Sequence, residues 1–324
     1  MASGKILRQL LKAGTAGDSA AFRRASESII EEERLKQHHL LANDLEKILY
    51  GSQQADSGKI SRLIPTVPTD KERGLPLLDI RNSQRNLEEL ILRREGIDSI
   101  EELLEEHRRQ DVLRSYGMRP SNKVLFFGPP GCGKTLAAEV IAYELDLPLA
   151  IVRLDALVSS YLGETAANLR KVFDFISQYP MVTLFDEFDA LGKERSDSGE
   201  HGELRRVVNA VLQMMDAYQG QSLIIAATNH EQILDSAIWR RFEETVEFPP
   251  PSAELIPRIL QLKLRGVRRQ FDVDNDEVIT LFTGLSGADI ERIIRRSIKR
   301  MILKGQEFLS TKDLLRSKER ESRN

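Results

Sequence analysis

The chain has 324 residues, is 41% hydrophobic and 30% charged, and carries a net charge of −3, the balance of a globular protein of roughly two or three compact units. That charge excludes a surface dominated by basic residues, as a nucleic-acid or anionic-membrane binder would need, and the single cysteine, Cys132, excludes an internal disulfide. No apolar run reaches the ~18–20 residues that cross a bilayer, and the first residues lack a secretory apolar stretch, so a cytoplasmic protein with no membrane segment is expected. Residues 1–50 read as helical: Asp18 or Ser19 can cap a helix, and Phe22, Ala25, Ile29 and Ile30, then Leu40, Leu41, Leu45 and Ile48, recur at helical spacing. Residues 51–75 hold prolines and many Gly, Ser and Asp, the composition of a linker.

From residue 76 to 250 the pattern alternates. "KVLFFG" (123–128), "LAIVRL" (149–154), "MVTLFD" (181–186) and "SLIIAAT" (222–228) are short, nearly continuous apolar runs with helical segments between them. Runs without polar alternation are buried on both faces, which predicts an α/β fold with a parallel sheet covered by helices. After the prolines of "EFPPPS" (247–252), residues 251–324 read as a small all-helical domain.

"GPPGCGKT" (128–135) follows the first of these strands and precedes a helix, and it fits G-x-x-x-x-G-K-[ST]. In that setting the glycines Gly128, Gly131 and Gly133 let backbone N–H groups turn toward an anion, with Pro129, Pro130 and Cys132 filling the loop between them and Lys134, Thr135 and Leu136 opening the helix behind them. Lys134 can reach phosphate oxygens, and Thr135 can offer its hydroxyl to Mg²⁺. Cys132 occupies a variable position and reads as a small filler rather than a redox group. About fifty residues on, "MVTLFDEFD" ends a strand in two acids. Asp186 suits a metal's hydration shell, and Glu187 can orient a water for attack on a γ-phosphate. Asp189 equally suits a helix cap.

These residues together resemble AAA+ ATPases, and within them the AAA family proper. The resemblance implies a P-loop NTPase sheet followed by a helical lid, with ATP and Mg²⁺ as cofactors. It makes Asn229, in "AATNH", the sensor asparagine. It makes Arg240 and Arg241, in "LDSAIWRRFEETVEF", arginine fingers for a neighbouring subunit, adjacent as in the katanin and spastin branch. "GLSGADIERII" (284–294) resembles the lid signature, bringing Ser286, Gly287 and Ala288 close to the adenine; "LLDIRNSQRNLEELI" (77–91) offers Ile80 as an adenine contact. Two departures stand out: Arg81-Asn82 replaces the family's double glycine, and Lys263 stands where many relatives place a ribose-contacting histidine.

"SSYLGET" (159–165) falls where the family carries its pore loop, so Tyr161, Leu162 and Gly163 would grip a polypeptide in the channel of a hexamer. Periodicity alone favours a place under the sheet for Tyr161. Arg205 and Arg206 fit either a nucleotide-sensing or a solvated helix face, and the basic run Arg292, Arg295, Arg296, Lys299 and Arg300 fits a ring interface or solvation better than a phosphate backbone. The function implied is an ATP-hydrolysing homo-oligomeric motor, a hexamer, that remodels, unfolds or disassembles protein substrates by threading. Its helical N-terminal region would select a protein substrate or adaptor. A separate protease partner stays open, and no nucleic acid is expected. A nucleotide-gated regulatory scaffold is the alternative, and a nucleic-acid motor a weaker one.

Overall fold

The computed structural model describes residues 25, 26, 28, 66–71, 73–157, 162–188, 210–233 and 236–321. By its internal contacts the chain forms two units, Met1–Thr66 and Val67–Asn324. The expected N-terminal helices and linker lie almost wholly outside the described residues, where Ala25, Ser26 and Ser28 are helical.

In the second unit, six strands form one sheet: β1 (Leu78–Arg81), β2 (Lys123–Phe127), β3 (Leu149–Val152), β4 (Val182–Phe185), β5 (Leu223–Thr228) and β6 (Glu244–Glu247). Their spatial order is β1-β3-β4-β5-β2-β6. All pairs are parallel except β1 with β3, where Leu78 lies opposite Val152 and Arg81 opposite Leu149. The four apolar runs therefore become the four central strands. β1 and β6 have no such run, because Asp79 and Arg81 stand in one and three glutamate or threonine residues surround Val246 in the other.

Alternation along each strand sends side chains to two separate cores. Val124 and Phe126 point to one face, packed on helices α1 (Arg94–Arg108) and α3 (Lys134–Glu144) through Ile100, Leu103, Leu104, Val140 and Ile141. A short helix α2 (Gln110–Ser115) follows α1. Leu125 points to the other face, with Phe185, Phe188 and the residues Leu169, Val172, Phe173 and Ile176 of α5 (Leu162–Gln178), which follows the single turn α4 (Leu154–Leu157). A helical stretch at 210–217 and the turn α6 (Ser236–Trp239) cover the same face.

A third core is all-helical: α7 (Ile256–Lys263), α8 (Asp276–Phe282), α9 (Gly287–Leu303) and α10 (Thr311–Glu321) pack through Leu260, Val278, Phe282, Ile290, Ile294 and Leu314. Every one of these is nearly inaccessible to water. Leu90 and Leu92 belong to the sheet's core while Ile91 packs on the helical one, so three consecutive residues tie the two together. Among the described residues no helix is long and apolar enough to cross a membrane.

Candidate functional site

The glycine-rich loop runs from the end of β2 into α3, and its glycines sit where a side chain could not. Gly128 has φ 136°, and a Cβ there would lie 2.4 Å from the carbonyl oxygen of Phe248. Gly131 has φ 76°, and a Cβ there would meet Ser286 Oγ at 2.7 Å and Ala288 Cβ at 2.9 Å. Gly133 caps α3 in the left-handed region, which only glycine enters freely. The loop thus presents the N-terminus of an eleven-residue helix to whatever it encloses.

Lys134 is buried, and its ammonium donates to the carbonyls of Gly128 (2.7 Å) and Pro129 (2.9 Å), spanning the loop from within. Thr135 donates its hydroxyl to Asp186 Oδ2 at 2.8 Å, so two residues 51 apart in sequence meet at one point. That meeting follows from the sheet: β5 lies between β2 and β4, and all three run parallel, so their C-terminal ends share an edge. Asn229, directly after β5, falls on the same edge between the loop and Asp186. Cys132 is buried, which pushes its thiol up from its ordinary value and keeps it neutral at pH 7; this agrees with a filler.

Glu187 is exposed and holds φ 50°, a left-handed conformation that is costly for a residue with a side chain. Its backbone N–H donates to Asp186 Oδ1 at 2.9 Å. The two oxygens of Asp186 are therefore divided between Thr135 and the backbone of Glu187. Beside them opens a cleft of about 680 Å³, lined also by Asp79, Arg81, Arg153 and Asp155.

The helical part closes on the loop through the start of α9. Ser286 caps α9 and forms a reciprocal capping box with Asp289, whose carboxyl is held below its usual range by the Ser286 hydroxyl and, further, by Arg292. Ala288 N–H donates to the carbonyl of Gly131 at 3.0 Å, and a Cβ on Gly287 would lie 3.4 Å from that same oxygen. Lys263 is committed to Glu291, whose carboxyl its hydrogen bond holds below the usual range.

Ile80 is not brought to this place. It lies in β1, an edge strand separated from β2 by β3, β4 and β5, and packs on the core beneath α5. Reading the Asp79-Ile80 pair as a base contact misses that Leu90–Leu92 is the segment joining the sheet to the helical part. The alternation L-I-L, with one core on each side, was the available signal.

Arg240 and Arg241 sit in the turn between α6 and β6. Arg241 pairs with Asp216 at 2.8 Å, while Arg240 is exposed. Glu243 N–H donates to the carbonyl of Lys123, the first residue of β2, so this turn feeds the N-terminal edge of the sheet. Tyr161, Asp189, Arg205 and Arg206 lie outside the described residues, as does the side chain of Leu162, which begins α5 with Gly163 following it.

A parallel sheet with a glycine-rich loop entering a helix, and a strand-end acid bonded to that helix's threonine, defines a P-loop nucleotide-binding protein. Residues 124–250 match the family described as "ATPase family associated with various cellular activities (AAA)". The chain is 42% identical over 323 residues to a protein of Sinorhizobium fredii (strain NBRC 101917 / NGR234) described as "Uncharacterized AAA family ATPase y4kL", covering 100% of this chain and 96% of that one. The chain belongs to the AAA family of ATPases.

Proposed function

We propose that this ATPase works as an oligomeric ring, a hexamer, in which each nucleotide lies between two subunits and hydrolysis drives the remodelling of a protein substrate. The observation that carries the reading is the division of groups between the two edges of the sheet. Arg241 is tied to Asp216 at the end opposite the loop, and β2 alone, five residues long, separates the two by about 16 Å. In this reading a guanidinium held there serves a phosphate of another molecule.

In this reading the loop amides and Lys134 hold the phosphates of ATP. Thr135 and Asp186 offer hard oxygen donors at one point, half-buried, which suits Mg²⁺. A cation there would draw negative charge from the phosphate oxygens. Glu187 takes a proton from water as the water oxygen attacks the γ-phosphorus; the bond to the bridging oxygen breaks and ADP leaves. Asn229 orients the water, and Arg240 and Arg241 of the neighbouring subunit stabilise the charge on the transferring group. The contact of Ala288 with Gly131 supports a coupled movement of the helical part when the loop's contents change. Tyr161, Leu162 and Gly163 would carry that movement to a polypeptide in the channel, and residues 1–50 would choose it. The "YLG" triplet and the modest net charge support a protein rather than a nucleic acid as substrate.

The test is the paired behaviour of Glu187→Gln and of subunit concentration. Glu187→Gln is expected to bind ATP normally and lose about 10²–10⁴ of turnover. Turnover per subunit is expected to rise with concentration as mass increases in light scattering. Full-speed hydrolysis by a dilute monomer would overturn the shared site.

A further inference from the structure

The arginine pair is flanked in sequence by Trp239 and Phe242, and each of these rings packs on a phenylalanine that adjoins the chain's own loop or acid in sequence. Trp239 lies edge-on to Phe127, with centroids 5.0 Å apart and planes at 75°. Phe127 ends β2 and directly precedes Gly128. On the other side Phe242 lies 6.3 Å from Phe188 at 85°, and Phe188 directly follows Glu187. Phe188 is 1% exposed and sits edge-on to Phe185 as well, at 6.4 Å. Between the two rings the backbone forms a bonded turn, Arg241 N–H to Ile238 and Phe242 N–H to Trp239.

Edge-to-face ring pairs prefer one relative orientation, and a close-packed interior passes a displacement on rather than absorbing it. A shift of the backbone at Gly128 moves Phe127 against Trp239. A change in the left-handed backbone at Glu187 swings Phe188 against Phe242. Both contacts end on the one turn that carries Arg240 and Arg241.

We propose that Trp239 and Phe242 are positioning residues that make the setting of Arg240 and Arg241 depend on the state of the subunit's own phosphate loop and Glu187. This rests on the reading that the pair serves the next subunit's nucleotide. Each site then senses the occupancy of its neighbour through an arginine whose placement that occupancy controls, with no need for a second ligand. The two contacts divide the message: Phe127–Trp239 reports the loop, and Phe188–Phe242 reports the acid.

Trp239 is the only tryptophan in the chain, so its emission reads the first contact directly. The full-length protein is titrated with ADP and with a non-hydrolysable ATP analogue, binding being measured separately by equilibrium dialysis. Wild type is expected to change its tryptophan emission in step with binding and to show a Hill coefficient above one for ATP turnover. Phe242→Leu is expected to keep nucleotide affinity and the emission change, to lower saturated turnover about fivefold or more, and to bring the Hill coefficient toward one. Phe188→Leu breaks the same contact from the other side and replaces it should Phe242→Leu fail to fold. Binding without an emission change overturns the proposal, as does a Hill coefficient of one in wild type. So does a Phe242→Leu protein that loses melting temperature and turnover but keeps its cooperativity, the mark of a purely structural ring. Absence of nucleotide binding, or wild-type turnover in an Arg240→Ala/Arg241→Ala protein, would instead remove the shared-site reading beneath it.

Discussion

The two edges of one sheet are built in opposite ways. At the C-terminal edge the lysine, the threonine and the strand-end acid are tied by short bonds within the chain: Lys134 to two loop carbonyls, Thr135 to Asp186, Asp186 to the backbone of Glu187. At the N-terminal edge Arg241 is held by one ion pair whose side chains are 31% and 49% exposed. A pair so exposed contributes about 0–1 kcal/mol, so a phosphate could take the guanidinium from Asp216 at little cost. In the proposed reading one edge holds a ligand and the other exchanges one.

The largest effect that would sharpen this contrast comes from Arg240→Ala/Arg241→Ala. It is expected to lower steady-state ATP turnover by about 10³–10⁵ while leaving ADP binding intact, since the loop that binds is at the other edge. Full activity in that protein would break the comparison outright. Next is Lys134→Ala, which removes the ammonium that bridges the loop; nucleotide affinity measured by calorimetry is expected to fall by a factor of about 10 or more. Gly131→Ala tests the rigidity of the holding edge, because its Cβ would strike Ser286 and Ala288 in a backbone conformation that alanine resists. About 1–3 kcal/mol of stability should be lost, read from denaturant midpoints. Asp216→Ala tests the exchanging edge. It is expected to lower the subunit concentration for half-maximal turnover by up to about fivefold.

The smallest effect is acid sensitivity at the start of α9. Asp289 and Glu291 both titrate below their ordinary values of 3.8 and 4.5, held there first by hydrogen bonds from Ser286 and Lys263 respectively. Their folded values being lower than their unfolded ones, the stability they add is complete above that range and fades as pH falls through the folded values. Circular-dichroism melts taken at neutral pH and at about pH 3 would show a modest drop, smaller still in Lys263→Met, where Glu291 has lost one of its two partners and keeps Arg295.

Much of this was legible in the sequence, and the reasons differ by element. The central strands follow from continuous apolar runs, a pattern that surface exposure cannot imitate. β1 and β6 were not legible, because edge strands of four residues with charges on them look like loops until a neighbour pairs with them. At the site, the spacing of Gly128, Gly131 and Gly133 carries a backbone requirement that composition alone expresses. The meeting of Thr135 and Asp186 needed β2 and β4 to run parallel, which the apolar runs imply, and to lie one strand apart, which they do not. Asp216 was not legible as the partner of Arg241, since 25 residues of chain separate them and nothing in either stretch names the other. Nor was the placement of Ile80, where a local pattern pointed one way and strand order decided the other.

The bond from Ala288 to the carbonyl of Gly131 bears on where this protein can be cut. The stretch that matches the family ends at residue 250, yet one wall of the loop is supplied by residues 286–288. A fragment ending at that boundary would keep the whole glycine-rich sequence and lose the neighbour that shapes it. A portion expected to keep the shape of that loop therefore extends well past the recognisable sheet, through the first turn of α9.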